Sequence, residues 1–213
     1  MQTEKSATGR PEGSFIERAR RAQITAAAIE VVAESGYAGA SLARIAAHAG
    51  ISKSVISYHF AGKDELLTEV VNQVFHDTWR HAEPLLAAQP DQAGRLRVWI
   101  EAQLSYMSEN RDRLLALGAI MTNHLGADGG ARYADEIRSG VTFVADLIRD
   151  GQRAGEFRDC DPVVAATTVN QAVQGALNAW VLDPGIDITA YSRALVDLFD
   201  HALRVRPGGE EDA

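Results

Sequence analysis

Apolar positions recur at intervals of three and four residues along most of the chain, the period of helices with one buried face. Ile24, Ala27, Ala28, Val31 and Val32 form the first stripe, in a helix beginning near Phe15, and Gly36 follows as a stop. Ser41 and Ser52 each stand where an N-cap belongs, ahead of two short helices. The first turns Leu42, Ile45 and Ala46 inward; the second runs to about His59. Ala61-Gly62 interrupts, and Lys63 opens a long helix bearing Leu66, Leu67, Val70, Val71, Val74 and Phe75. Breakers between Pro84 and Gly94 predict its end. Asp91 caps a helix with Leu96, Trp99, Ile100, Leu104 and Met107, and another spans about Arg111 to His124. Gly126 to Gly130 reads as a loop. Ala131 to Ala154 is predicted helical, with Ile137, Val141, Val144, Leu147 and Ile148 on one side and Gly155 ending it. Asp161-Pro162 starts a helix to about Leu182, and Asp187 caps the last one. No strand alternation and no solenoid repeat is found. The pattern predicts an all-α chain of about nine helices.

Composition narrows the classes. The chain has 213 residues, 46% hydrophobic and 23% charged, ordinary for a packed domain or a small head on a larger body. Residues 1–14 and 206–213 are polar and are expected to be disordered tails. No run approaches the roughly 18 apolar residues of a membrane span, and the N-terminus lacks the apolar core of a secretory signal. A cytoplasmic protein without membrane contact is expected. Cys160 is the only cysteine, which rules out an internal disulfide, argues against a thiolate zinc cluster, and leaves Cys160 an inert thiol. His76 and His81 are five apart, off the face that two metal ligands share. No glycine-rich phosphate loop or nucleophile motif stands out. No metal, cofactor or catalytic residue is expected, so the chain reads as a non-enzyme.

The net charge of −8 argues against nucleic acid until its distribution is considered. Residues 1–63 carry +3 and residues 64–213 carry −11, together −8. A basic head on an acidic body suits a protein that meets phosphate at one end.

The stretch Ser41–Phe60, SLARIAAHAGISKSVISYHF, holds the legible chemistry. Two short helices are joined by a tight turn at His48-Ala49-Gly50-Ile51, with Ala46 small enough for a close crossing and Gly50 free to take positive φ. Ile51 and Ile56 can pack with Leu42 and Ile45. This is the spacing of a helix-turn-helix, whose second helix enters the major groove of DNA. Lys53, Ser54, Ser57, Tyr58 and His59 are left facing out, a set of donors, acceptors and one flat ring. Ser41 and Arg44 on the first helix, Ser52 at the cap of the second, and Lys63 on the next helix complete the candidate DNA contacts. The competing reading, a helical adaptor that binds a protein through its acidic body, leaves this outward polar set without a purpose.

The block from about Arg21 to Val71 resembles the DNA-binding domain of the tetracycline-repressor (TetR) family. The resemblance is carried by Gly36-Tyr37, Ser41-Leu42, Ile45-Ala46, Ala49-Gly50, Ser52, Tyr58-His59-Phe60 and Lys63 with Leu66-Leu67. Two positions depart from it: Ser54 stands where the family often has Gly, and Gly62 where a polar cap is usual. The resemblance implies a DNA-binding domain over residues 15–78 and an effector-binding, dimerising body over 79–205. It implies that Ser52–His59 is the recognition helix, that Tyr58 and Lys63 meet phosphates, and that Phe60 is core. It implies a homodimeric regulator, expected to be a repressor, that binds a palindromic operator in double-stranded DNA and is released by a small, mostly apolar molecule.

For the body the residues say less. Val173, Leu177 and Trp180 on the penultimate helix, with Leu195 and Phe199 on the last, lie on broad apolar faces. They are expected in a dimer interface, the alternative being burial against their own chain. Trp99, Tyr106, Met121, Asn123, His124 and Phe143 are candidate pocket residues, joined by an amide row of Asn170, Gln174 and Asn178. That row has three readings: it orients a ligand, bonds across the dimer, or faces water.

Overall fold

A computed structural model describes residues 12–124 and 133–205. The expected loop Gly126–Gly130 and the C-terminal tail lie outside the described residues, as does all but the end of the N-terminal tail. Nine α-helices and no strand are found among the described residues: α1 Glu12–Gly39, α2 Leu42–His48, α3 Lys53–His59, α4 Lys63–Ala87, α5 Gln92–Glu109, α6 Arg111–His124, α7 Ala134–Arg153, α8 Pro162–Leu182 and α9 Ile188–Leu203.

Capping chemistry sets most boundaries. The Ser41 and Asp91 side chains accept from the Arg44 and Gly94 amides, while Asp161 and Asp187 each accept from two amides of the first turn. Gly36, at φ 69°, breaks α1 where a stop was expected, although the chain resumes a helical turn to Gly39.

One helix end differs from expectation. α1 starts at Glu12, so the helix reaches into the stretch read as a tail. α4 includes Pro84 and ends at Ala87, within the stretch of breakers between Pro84 and Gly94. A proline there costs the helix one hydrogen bond and crowds the carbonyl four residues earlier, and burial of Ala82 and Leu86 holds the last turn in place.

The first three helices form a small head around Ile24, Ala28, Val31, Ile45, Ile56 and Phe60. In the body α5 is the hub, packed by α4, α6, α7, α8 and α9. The segment after α7 is fastened to the C-terminus of α9: Arg158 donates to the Leu203 carbonyl at 2.8 Å, and Val205 to the Glu156 carbonyl at 3.1 Å. α4 joins head to body, and α6 lies along α1. Of the predicted α7 stripe, Val144, Leu147 and Ile148 are buried, whereas Ile137 lies on the surface.

Candidate nucleic-acid interface and effector site

The turn between α2 and α3 is built as its residues require. Ile51 donates to the Ala46 carbonyl at 3.0 Å, and Gly50 takes φ 66°, where a side chain would be strained. Ile56 and Phe60 are buried beneath α3, and the Arg21 guanidinium lies 4.1 Å from the centre of the Phe60 ring while donating to the His59 carbonyl. Arg21 thus clamps the end of α3 onto α1. Gln23, also on α1, donates to the Ala49 carbonyl at 3.1 Å and steadies the turn.

This fixes which side chains α3 presents. Ser52, Lys53, Ser54, Ser57 and Tyr58 are exposed, Tyr58 at 81%, and the Ser52 and Ser54 hydroxyls are 2.8 Å apart. Ser41 and Arg44 are exposed beside them on α2. Two expected contacts are placed differently. His59 is half-buried with its Nδ1 enclosed, because the last turn of α3 rolls toward Arg21 and the Tyr58 ring meets it edge-on. Lys63 is half-buried as well, its Nζ 4.1 Å from the Tyr37 ring centre and donating to the Tyr37 carbonyl. Burial pushes this ammonium below the usual lysine range, partly opposed by the neighbouring Asp64 carboxylate.

The nine pocket candidates separate into distinct places. Trp99 and Phe143 meet at 4.9 Å between ring centres, and Trp79, which the sequence reading passed over, completes a trio at 6.1 Å from Trp99 and 5.1 Å from Phe143. Asn170 underpins it, accepting from Trp99 Nε1 at 3.1 Å and donating to the Ala166 carbonyl. Gln174 and Asn178 do not join Asn170: both are exposed and bonded to each other at 3.0 Å. Each step of four residues turns about 40° round a helix, so the amide row drifts off one face within two steps. Asn123 is exposed and donates to the Ala119 carbonyl of its own helix. Met121 packs half-buried on the core, and Tyr106 pairs with His81 at 5.4 Å. Burial pushes the Tyr106 hydroxyl above the usual tyrosine range, with Arg113 opposing and Asp77 adding to the shift. His124, buried where α6 meets the head, bonds through Nδ1 to the Tyr133 hydroxyl at 2.6 Å.

The interface candidates need correction. Val173, Leu177, Leu195 and Phe199 are buried within their own chain, and Trp180 is half-buried near the Arg111 guanidinium. α8 and α9 turn those residues into the body of their own chain. What they leave outside is a different, uncharged stripe. On α8 it comprises Val164, Thr168, Gln171, Gly175, Asn178 and Leu182, spaced alternately by four and three residues, with Leu182 86% exposed. Tyr191, Ala194, Leu198, Ala202 and Val205 continue it along α9 and just beyond.

Comparison with known proteins agrees with this geometry. Residues 24–70 match the family of bacterial regulatory proteins, tetR family, and residues 89–201 match the tetracyclin repressor-like C-terminal domain. The chain belongs to the tetracycline-repressor family of transcriptional regulators and carries its helix-turn-helix DNA-binding domain. The HTH-type transcriptional regulator BetI of Paraburkholderia phytofirmans is 36% identical over 84 residues, 39% of this chain and 43% of its own length. The match to this curated relative therefore spans less than half of it. A transcriptional regulator from Saccharomonospora viridis, solved in complex with choline, is 26% identical with a TM-score of 0.78, covering 89% of this chain and all of its own. The fatty acid degradation regulator FadR from Bacillus halodurans shares the fold at 19% identity, with a TM-score of 0.77 over 84% of this chain and 94% of its own. No described helix is long and apolar enough to cross a membrane.

The Trp99–Asn170 bond gives a direct test of the aromatic trio's framework. Asn170→Ala leaves the buried Trp99 N–H without a partner and is expected to cost about 1–3 kcal/mol. Thermal unfolding followed by circular dichroism should show a lowered midpoint, and an unchanged midpoint would mean that the bond does not hold the trio.

Proposed function

We propose that this regulator is a homodimeric repressor that binds a two-fold operator through α3 and releases it when a small, mostly apolar molecule enters the body. The exposed Lys53, Ser54, Ser57 and Tyr58 on a rigidly seated α3 carry the DNA-binding half of the reading. Ser41 and Arg44 stand where they can meet the flanking phosphates. Lys63 and His59 support the interface from behind, one holding Tyr37 and the other covered by Arg21.

The exposed stripe on α8 and α9 supports the dimer. It bears no Asp, Glu, Lys or Arg, repeats with the period of a helix-packing seam, and places Gly175 where two backbones can approach closely. A second copy of the chain is the partner that matches it, because a palindromic operator needs a two-fold protein.

The aromatic trio supports effector binding between the helices spanning Leu96 to Asn178. The choline held by the Saccharomonospora viridis regulator adds to this, since that protein aligns with most of the present chain. Transfer of effector free energy to the head requires different affinity for the DNA-bound and released arrangements, typically about 1–3 kcal/mol.

Duplex binding measured by fluorescence anisotropy at two salt concentrations tests the head. The wild type should lose affinity steeply with salt, and Lys53→Ala should weaken every duplex and lower the slope of log affinity by about 0.9. A slope near zero for the wild type would remove the DNA-binding reading. The dimer is tested by sedimentation. Leu198→Glu should give a helical monomer, whereas Phe199→Glu, inside the chain's own core, should lose helical signal. A wild type that sediments as a monomer at micromolar concentration would overturn the dimer.

A further inference from the structure

Gly175 sits in the interior of α8 with nothing in its own chain to require a glycine. Its backbone is helical rather than at positive φ, and a Cβ placed on it would meet no atom within 4 Å. Glycine is a poor helix former, so its presence weakens α8 without a return inside the fold. The open space above it lies in the middle of the exposed, uncharged stripe, where a second molecule can use it.

The chemistry on either side of Gly175 is mirrored. Gln171 precedes it by four residues and Asn178 follows it by three, and both are exposed amides. Thr168 and Leu182, also exposed, each stand seven residues away. A helix laid antiparallel on a copy of itself, with the two-fold axis through Gly175, brings these positions level in pairs. At 1.5 Å per residue, Gln171 stands about 6 Å from the axis along one helix and the second copy's Asn178 about 4.5 Å along the other, on the same side. Leu182 comes level with the second copy's Thr168, whose hydroxyl is already spent on the Val164 carbonyl, leaving its methyl to pack. The donors and acceptors match as well. Gln174 donates to Asn178 Oδ1 at 3.0 Å, which leaves the Asn178 amide nitrogen to donate elsewhere. Gln171 bonds nothing in its own chain among the described residues. α9 repeats the mirrored order, with Ala194 and Ala202 four residues to either side of Leu198.

We propose that two copies of the chain cross antiparallel at Gly175, each Asn178 donating to the second copy's Gln171 carbonyl oxygen. This rests on the reading of the regulator as a homodimer and fixes where its two-fold axis runs. An amide pair satisfied in a single register selects that register over slipped ones, and selects a like chain over an unlike one.

Cysteine bridging in the full-length protein tests the crossing, with Cys160→Ser removing the native thiol. A disulfide needs Cα atoms about 4.4–6.8 Å apart. A residue on a two-fold axis meets its own copy, so Gly175→Cys alone should bridge two chains under mild oxidation. Gln171→Cys alone, about 12 Å from its copy along the helices, should not bridge, whereas Gln171→Cys combined with Asn178→Cys should. Gly175→Leu fills the crossing point. Sedimentation should show its dimer weakened at least about tenfold, with the helical circular dichroism signal retained because its own chain leaves room for the side chain. Gln171→Ala and Asn178→Ala should each weaken the dimer, and together no more than either alone. A wild type that sediments as a monomer contradicts the homodimer reading and this inference with it. A dimer that Gly175→Leu leaves intact, or that bridges at neither cysteine arrangement, contradicts this inference alone. So does a bridge that needs Gly175→Cys and Leu198→Cys together, which would set α8 of one copy against α9 of the other.

Discussion

One helix belongs to two cores, and the rest of the molecule is arranged around that constraint. α4 buries Leu66, Leu67, Val70, Val71 and Val74 near its start, and Thr78, Ala82 and Leu86 toward its end. The stripe is continuous, so the helix cannot turn in the head without turning in the body. At 1.5 Å per residue it spans about 37 Å, long enough to carry a small tilt from one module to the other. The other bridge is α6, which lies along α1 and ends in His124. That histidine sits edge-on to Tyr37 of the head at 5.4 Å, stacks on Tyr133 at 5.9 Å, and lies 4.0 Å from Asp64 at the start of α4. Tyr133 leads into α7, the helix bearing Phe143. In the proposed switch, movement of α7 reaches the head through one buried imidazole, and movement of the aromatic trio reaches it through Trp79 on α4.

Electrostatics gives this frame a direction. The acidic body is repelled by DNA, while the head presents Arg44 and Lys53. Not every basic residue of the head serves that purpose. Arg21 and Lys63 are folded inward onto Phe60 and Tyr37, where each couples a cation to a ring and to a backbone carbonyl. They fix the ends of α3 and α4, which sets the angle at which the exposed side chains of α3 meet a groove. Replacing either would disturb DNA binding through geometry as well as through charge.

The head was legible in the sequence because its signals are local. Serine caps, a glycine turn and a hydrophobic period within twenty residues leave few alternatives, and α2 and α3 lie where those signals place them. Helix positions in the body were legible for the same reason. The faces of its helices were not, because which apolar residue turns inward depends on neighbours far away in sequence. Leu195 and Phe199 face the hub helix and Leu198 faces out, though all three are apolar and lie within one helix. Val163 and Val164 are apolar yet exposed, and Val164 belongs to the stripe that α8 leaves outside. Trp79 was missed because it sits beside, rather than on, the buried stripe of α4; its four-residue spacing from Phe75 was the available signal.

The central claim is that two copies of this chain hold their recognition helices one turn of DNA apart and that an effector changes that separation. Pulsed electron spin resonance measures it directly, with a spin label on a cysteine introduced at exposed Ser54 and Cys160 replaced by serine. On operator DNA the account predicts a narrow distance distribution centred near the helical repeat, about 34–36 Å, that shifts or broadens when effector is added. A single distance unaffected by effector, or no intermolecular distance at all, would contradict it.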